Sequence, residues 1–396
     1  MGPMLAALEG KRVALAHHWL LSMRGGEKVL QAIAELLPGA PIFTLLYDRD
    51  ELCPALGRRS IRASFLQRLP GARSNHRYAL PLYPLAAGRL DCREFDVVIC
   101  SDAATVKAVR CRPEALKICY CHSPMRYVWN LRDEYRRQMP VWTAAALRLV
   151  GPYVRQCDRR AANTVTTFIA NSRHVRARIR NCYGRESVVI YPPVDIPASP
   201  ASETPDEYYL VVSELVEYKR VDLAVEACTL TGRRLIVVGD GPLGRRLRRR
   251  AGPTVSFWGR VANEEVARLM AGCRALLFCG EEDFGMVPVE AQGHGRPVIA
   301  LARGGALETV LDGQTGLFFA EPRAELVIEV LERFEDSATL WPPQAIHDHA
   351  YKFTLEQFRR RFIDFISWAV GAWEAGGPQA VRQACERGHA MALERR

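Results

Sequence analysis

Two glutamates eight positions apart, Glu282 and Glu290, stand around the segment Asp283-Phe284-Gly285-Met286. Carboxylates accept hydrogen bonds from sugar and ribose hydroxyls without competing donors. The pair lies between an apolar strand-like run, Arg274–Phe278, and a helix expected over Val287–Gly293. One carboxylate can therefore face a loop ligand while the other projects from the helix. Gly285 lets the backbone approach that ligand, and the helix N-terminus favours a diphosphate. A plain helix with acidic residues in its first turn would read the same way.

Other segments offer weaker chemistry. Arg24-Gly25-Gly26-Glu27-Lys28 follows the run Arg12–His17 and opens a helix. Backbone N–H groups there can meet an anion, with Lys28 adding charge, although a tight turn explains the two glycines equally well. Gly239, Gly241 and Gly244 have the G-x-G-x-x-G spacing of a dinucleotide site. That motif belongs after the first strand of its domain, with an acidic ribose ligand about 20 residues on. Here it follows a second strand, and the next strand ends in Trp258-Gly259-Arg260. Cys119-Tyr120-Cys121-His122 lacks the second ligand pair of a zinc site, so no metal is expected.

The elements that must hold these residues are short apolar strands alternating with helices, which implies parallel, doubly wound α/β layers. Strands are expected at Arg12–His17, Pro41–Leu46, Asp96–Ser101, Leu116–Cys121, Thr167–Asn171 and Ser187–Tyr191. A second series follows at Tyr208–Ser213, Arg233–Gly239, Thr254–Gly259, Arg274–Phe278 and Pro297–Leu301. Between the series, residues 192–205 are rich in Pro, Ser and Ala, as in a linker. The expected domains are 11–195 and 206–350, to which the resemblance given below assigns the acceptor side and the nucleotide-sugar side. A helix over 351–373 and a loosely held basic tail over 374–396 follow.

At 396 residues, with 48% hydrophobic and 25% charged residues, the chain has the composition of a folded protein of two domains. No apolar run reaches the roughly 18 residues needed to cross a bilayer. Met1 to Arg12 contains Glu9 and no long apolar core, so no signal peptide is expected. With twelve cysteines, several in apolar runs, reduced thiols and a cytoplasmic location are expected. The net charge is +10, and Gly57 to Leu90 carries seven arginines (Arg58, Arg59, Arg62, Arg68, Arg73, Arg77, Arg89) with no acidic residue. Phe65, Leu66, Leu69, Tyr78, Leu80, Leu82, Tyr83 and Leu85 interleave with them. The mixture suits an anionic membrane surface, or a solvated basic loop over core residues. No nucleic-acid motif accompanies it.

Taken in order, several motifs resemble the retaining family-4 glycosyltransferases of GT-B fold. They are Ile169-Ala170-Asn171-Ser172, the Ser213 to Arg220 segment with Lys219, Val238 to Pro242, Phe257 to Arg260, Glu282 to Glu290, Gly304-Gly305 through Glu308, and Asp312 to Gly316. Cys119 to Trp129 and Tyr191-Pro192-Pro193-Val194-Asp195 are similar to the mannosyltransferase-like branch of bacterial surface-polysaccharide synthesis. The resemblance implies two facing Rossmann-like domains, with a C-terminal helix returning to the first. It implies that Glu290 holds the donor ribose and that Glu282, with backbone N–H groups around Phe284, Gly285 and Met286, binds the transferred sugar. Lys219 would neutralise the diphosphate, Arg260 and Val261 would lie near the base, and His122 would face the sugar. Gly25 and Gly26 would line the cleft.

The family's usual arginine five residues before the lysine is replaced by Glu214, and Arg220 is the expected substitute. The implied reaction is metal-independent retaining hexosyl transfer, with GDP-mannose the first candidate donor and UDP-hexoses the second. The implied acceptor is a lipid-linked or growing oligosaccharide. The protein would sit peripherally on the inner membrane face, with Lys28, Arg58, Arg59 and Arg62 on the acceptor or membrane side. Glu214 keeps open a sugar-nucleotide-binding protein with an inactive donor site.

Overall fold

The structure of the protein, a computed structural model, describes residues 6–73, 76–126, 128–129, 141–201, 204–336 and 341–388, with only the backbone for 76–78 and 141–147. The side chains of Arg77 and Tyr78, residue Tyr127 and the tail from 389 lie outside the described residues.

The chain forms two compact units, Met1–Pro193 with Phe358–Arg396, and Val194–Gln357. In the first, seven parallel strands form one sheet: β1 (Val13–His17), β2 (Ile42–Thr44), β3 (Ile61–Ala63), β4 (Val97–Asp102), β5 (Leu116–Cys121), β6 (Thr167–Ala170) and β7 (Ser187–Val189). Their order is β3-β2-β1-β4-β5-β6-β7. β1, β4 and β5 are nearly uniformly buried, as strands covered on both faces must be. The helices used below are α1 (Gly25–Leu36), α2 (Val141–Thr164) and α3 (Arg173–Tyr183). The second unit holds β8 (Tyr209–Val212), β9 (Leu235–Val238), β10 (Val255–Gly259), β11 (Ala275–Phe278), β12 (Val298–Leu301) and β13 (Gly316–Phe319), in the order β10-β9-β8-β11-β12-β13. Its helices include α4 (Val221–Thr231) and α5 (Met286–Gly293). In each sheet the strand order reverses direction beside the first strand, between β1 and β4 and between β8 and β11. Ligands of open α/β sheets bind at such switch points, beyond the carboxyl ends of the strands.

Two strands escaped the apolar-run criterion. β3 is a three-residue edge strand with Arg62 at its centre, and β13 lies inside the Asp312 to Phe319 turn motif. The expected loosely held tail is also corrected. The last helix, α6 (Leu355–Glu386), breaks at Gly376-Gly377 and then continues, burying Val381 and Cys385. It is tied to the first unit along its length. Arg359 pairs with Glu35 at 2.5 Å, Trp373 Nε1 donates to Glu114 O at 2.7 Å, and Arg382 donates to Asn163 O at 2.8 Å.

The basic stretch is less available than its composition implies. Arg59 donates to Leu37 O at 2.7 Å, Pro38 O at 2.6 Å, Ala55 O at 3.3 Å and also Ala34 O. It thereby satisfies carbonyls that the end of α1 leaves without intrahelical partners. Arg62 pairs with Glu94 at 2.6 Å and lies over the Phe43 ring. Arg59 is thus committed to the end of α1, whereas Arg58, Arg62 and Arg68 are exposed. No helix among the described residues is long and apolar enough to cross a membrane. We expect Arg59→Met to lower unfolding stability by about 2 kcal/mol, because several bonds to helix-end carbonyls are lost. Arg58→Met should stay within about 0.5 kcal/mol; urea unfolding of both variants measures the contrast.

Candidate active site

In the second unit, the turn after β8 and the loop after β11 come together. A single 3-10 turn, Glu217–Lys219, is followed by Arg220 in the left-handed region (φ 48°), and α4 starts at the next residue. A non-glycine residue in that conformation costs about 1–2 kcal/mol, and it reverses the chain directly after Lys219. Gly280 answers from β11. A Cβ at Gly280 would lie 2.6 Å from Lys219 Cα, so only glycine allows the two backbones this close. As a result Lys219 Nζ and the Glu282 carboxylate form an ion pair, with side chains 16% and 19% exposed. Ser213, Lys219, Cys279 and Gly280 line a small cavity here.

The Glu282 loop is held from behind. Gly305 N donates to Glu282 O at 2.8 Å, and the buried Phe284 ring packs on Phe353. Gly285 has φ 83° and caps α5, whose first residue is Met286 and which carries half-buried Glu290. Val261 packs against the core, and Arg260, the residue before it, is exposed. Sequence reasoning missed Gly280, whose signal was only its place directly after a buried strand.

Arg220, the expected substitute for the missing arginine, lies next to Lys219 and is paired in its turn. Its guanidinium is engaged with Asp222 through Nε at 3.1 Å and Nη2 at 3.1 Å. Gly239 has a structural use. A Cβ at Gly239 would lie 1.9 Å from Ser213 O, and Leu215 N donates to Asp240 O at 3.0 Å. This glycine lets the β9 loop support the strand end that leads to Lys219.

In the first unit, His122 follows β5, and its Nε2 lies 2.8 Å from Ser101 Oγ at the end of β4. Asn171 Nδ2 donates to His122 O at 3.0 Å, and His122 N donates to Asp102 O at 2.8 Å. Gly25 and Gly26 open α1, and a Cβ at Gly26 would lie 3.6 Å from His122 Nε2. Lys28 lies in the same first turn, half-buried. Beneath them is a buried ionic cluster. Lys107 Nζ is 3.0 Å from Asp102 Oδ2 and 2.5 Å from Asp158 Oδ1. Asp158 Oδ2 also accepts from Trp129 Nε1 at 2.8 Å and Tyr183 OH at 2.7 Å. Burial alone would raise the Asp102 carboxyl, but the Lys107 ammonium, the neighbouring His18 and the Ala104 N–H together outweigh it and hold the pKa at about 2. Burial would likewise raise Glu27, yet the imidazoles of His17 and His18 hold it at about 2.

Known proteins share this architecture. The solved structure of Anabaena HepE in complex with UDP superposes with TM-score 0.67 at 16% identity, covering 90% of this chain and 99% of that one. The protein is thus an α/β protein of GT-B fold, with two Rossmann-like units. Residues 23–197 match the family described as Glycosyltransferase Family 4, and residues 195–350 match Glycosyl transferases group 1. The chain belongs to the glycosyltransferases of GT-B fold. An uncharacterized glycosyltransferase of Methanocaldococcus jannaschii is 28% identical over 182 residues, 44% of this chain and 52% of the relative. The GDP-mannose-dependent alpha-(1-6)-phosphatidylinositol monomannoside mannosyltransferase of Mycolicibacterium smegmatis is 31% identical over 199 residues, 42% of this chain and 52% of the relative. The chain spans about half the length of these curated relatives.

The two depressed carboxylates set a pH dependence. Unfolded, each titrates near 4; folded, each titrates at about 2. Their stabilisation is therefore complete above about pH 4 and is lost as pH falls through about 2. We expect urea midpoints to drop steeply between these values, and Asp102→Asn to flatten part of that slope.

Proposed function

We propose that the protein is a retaining hexosyltransferase that moves a sugar from a nucleotide-sugar to a lipid-linked or growing oligosaccharide. The observation that carries this reading is the Lys219–Glu282 pair at the switch point of the second sheet, with Glu290 on the helix that begins behind Gly285. The leaving group of such a reaction is a nucleoside diphosphate, so the barrier falls when developing negative charge is stabilised. Lys219 and the N–H groups at the start of α5 supply that stabilisation. A diphosphate must draw Lys219 from Glu282, which releases the carboxylate to accept sugar hydroxyls. Glu290 accepts from the ribose. His122 orients the sugar, and the acceptor attacks from the leaving-group face with its proton passing to the donor phosphate.

GDP-mannose is the first donor, in keeping with the GDP-mannose dependence of the mycobacterial relative. A UDP-hexose is the second, since the HepE structure holds UDP. The Glu214 position and the Asp222-bound state of Arg220 favour one other reading, a sugar-nucleotide-binding protein without turnover. Thermal shift and slow donor hydrolysis, measured with GDP-mannose, GDP-fucose, UDP-glucose, UDP-galactose and UDP-GlcNAc, separate the two. A ligand at a hundred times its Kd stabilises by about 2.7 kcal/mol, so a bound donor gives a clear shift. We expect one donor to shift the protein and be turned over. Glu290→Ala and Lys219→Ala should abolish the shift, and Arg220→Ala should weaken it less. Binding without turnover for any acceptor supports the second reading, and no shift with any donor defeats both.

The acceptor is proposed to lie at an anionic membrane surface. Leu69, Leu82 and Leu85 are 43%, 40% and 45% exposed in the stretch that also exposes Arg58 and Arg68. Sedimentation with vesicles containing anionic lipid tests this. The protein should pellet at low salt, and Arg58→Glu with Arg68→Glu should release it; a protein that stays in the supernatant at low salt contradicts the proposal.

A further inference from the structure

His17 lies between a buried carboxylate and the imidazole that orients the sugar in the reading above. Its Nδ1 is 3.1 Å from Ser101 Oγ, and Ser101 Oγ is 2.8 Å from His122 Nε2. On its other side, His17 Nε2 lies 3.8 Å from Glu27 Oε1. The sheet fixes this arrangement. His17 and Ser101 are register partners of the paired strands β1 and β4, and His122 follows the next strand, β5. The first turn of α1 brings in Glu27, whose Oε2 accepts from Arg24 N at 3.1 Å. Both Glu27 and His17 are buried.

The proton positions follow from the charge of Glu27 acting on His17 Nε2 across 3.8 Å, too long for a hydrogen bond, and from donor and acceptor counting at Ser101. Glu27 is ionised above about pH 2 and can only accept. It therefore favours a proton on His17 Nε2, which leaves Nδ1 of a neutral His17 as the acceptor. Ser101 has one proton to give. If it goes to His17 Nδ1, the Ser101 oxygen receives the proton of His122 Nε2–H. The reverse order would turn the lone pair of His17 Nε2 toward the carboxylate, which is repulsive. The neighbouring ionisable groups leave this order intact. The His18 ring is 4.1 Å from that of His17, and burial above all lowers its pKa to about 3, so it is neutral. Asp102 is engaged by Lys107.

We propose that Glu27, His17 and Ser101 are positioning residues that fix His122 as its Nε2–H tautomer, making Nδ1 the nitrogen that accepts a hydroxyl proton of the transferred sugar. The proposal rests on the reading of His122 as the residue that faces the sugar. Its test does not depend on turnover alone.

Full-length, tag-free protein labelled with 15N-histidine, at pH 8, reports each tautomer in long-range 15N–1H spectra, with His122→Asn identifying the His122 signals. The expected wild-type state is Nε2–H. Glu27→Gln puts an amide donor opposite His17 Nε2 and should reverse the chain, giving Nδ1–H at His122. Ser101→Ala should leave His122 a mixture, and Ser101→Thr, which keeps the hydroxyl, should restore the wild-type spectrum. In turnover, Ser101→Ala should lower kcat about tenfold, the scale of one lost hydrogen bond, with donor KM unchanged and Thr rescuing.

Three results overturn the proposal. One is Nδ1–H at His122 in the wild type. Another is a His122 tautomer indifferent to both Glu27→Gln and Ser101→Ala. The third is one divalent cation per chain, retained by the wild type and lost in His18→Asn, which would put a metal rather than a proton between His17, His18 and Glu27. The expected tautomers in a protein that turns over no donor would support the His17–Ser101–His122 hydrogen bonds under the charge of Glu27 and count against the transferase reading instead.

Discussion

A buried ammonium organises the first unit. Lys107 is almost wholly inaccessible, and it faces two carboxylates that come from different parts of the chain, Asp102 at the end of β4 and Asp158 on α2. An isolated charge at that depth would be prohibitive. Burial on its own would lower the Lys107 pKa, yet the two carboxylates raise it well above the usual lysine range, so the cluster stays ionised. Breaking such a cluster by removing one partner costs more than the cluster contributes to stability. Its value is positional. Asp102 also accepts from the backbone of Ala104 and Val106, shaping the turn after β4. Asp158 holds Trp129, and Tyr183 on α3, so the segment after His122 is fastened at its far end. The strand end bearing Ser101 and the loop bearing His122 are thus tied to one set of charges.

The second unit solves a comparable problem with backbone geometry and opposite charge. Its two site loops leave adjacent parallel strands, and the close approach at Gly280 and the reversal at Arg220 bring Lys219 against Glu282. An ion pair at this partial exposure adds little to stability. It does keep a lysine and a carboxylate together at the switch point of the sheet.

Arginine illustrates how one residue type divides between roles that composition treats alike. In the run from Gly57 to Leu90, Arg59 terminates α1, Arg62 is spent on Glu94 and Phe43, and Arg89 lies over Phe65. Guanidinium groups suit all three uses because they combine a planar face with several directed donors. The surface charge that remains for a partner is smaller than the residue count indicates.

The sequence by itself determined the architecture and the identity of most candidate site residues. Buried parallel strands leave continuous apolar runs, so β1, β4, β5, β8, β9 and β11 were legible, as was the linker after β7. Lys219, Glu282, Glu290 and His122 were legible through motif order. The edge strand β3 was not, because three residues centred on an exposed arginine carry no apolar run. The helix beyond Gly376-Gly377 was not, because a glycine pair reads as an ending and only contacts with a distant strand and loop bury Val381 and Cys385. Tertiary structure alone decided that Arg220 answers Asp222, that Arg59 caps a helix, and that His17 and Ser101 stand beside His122. These are contacts between residues distant in sequence or set by side-chain direction, and linear spacing contains neither.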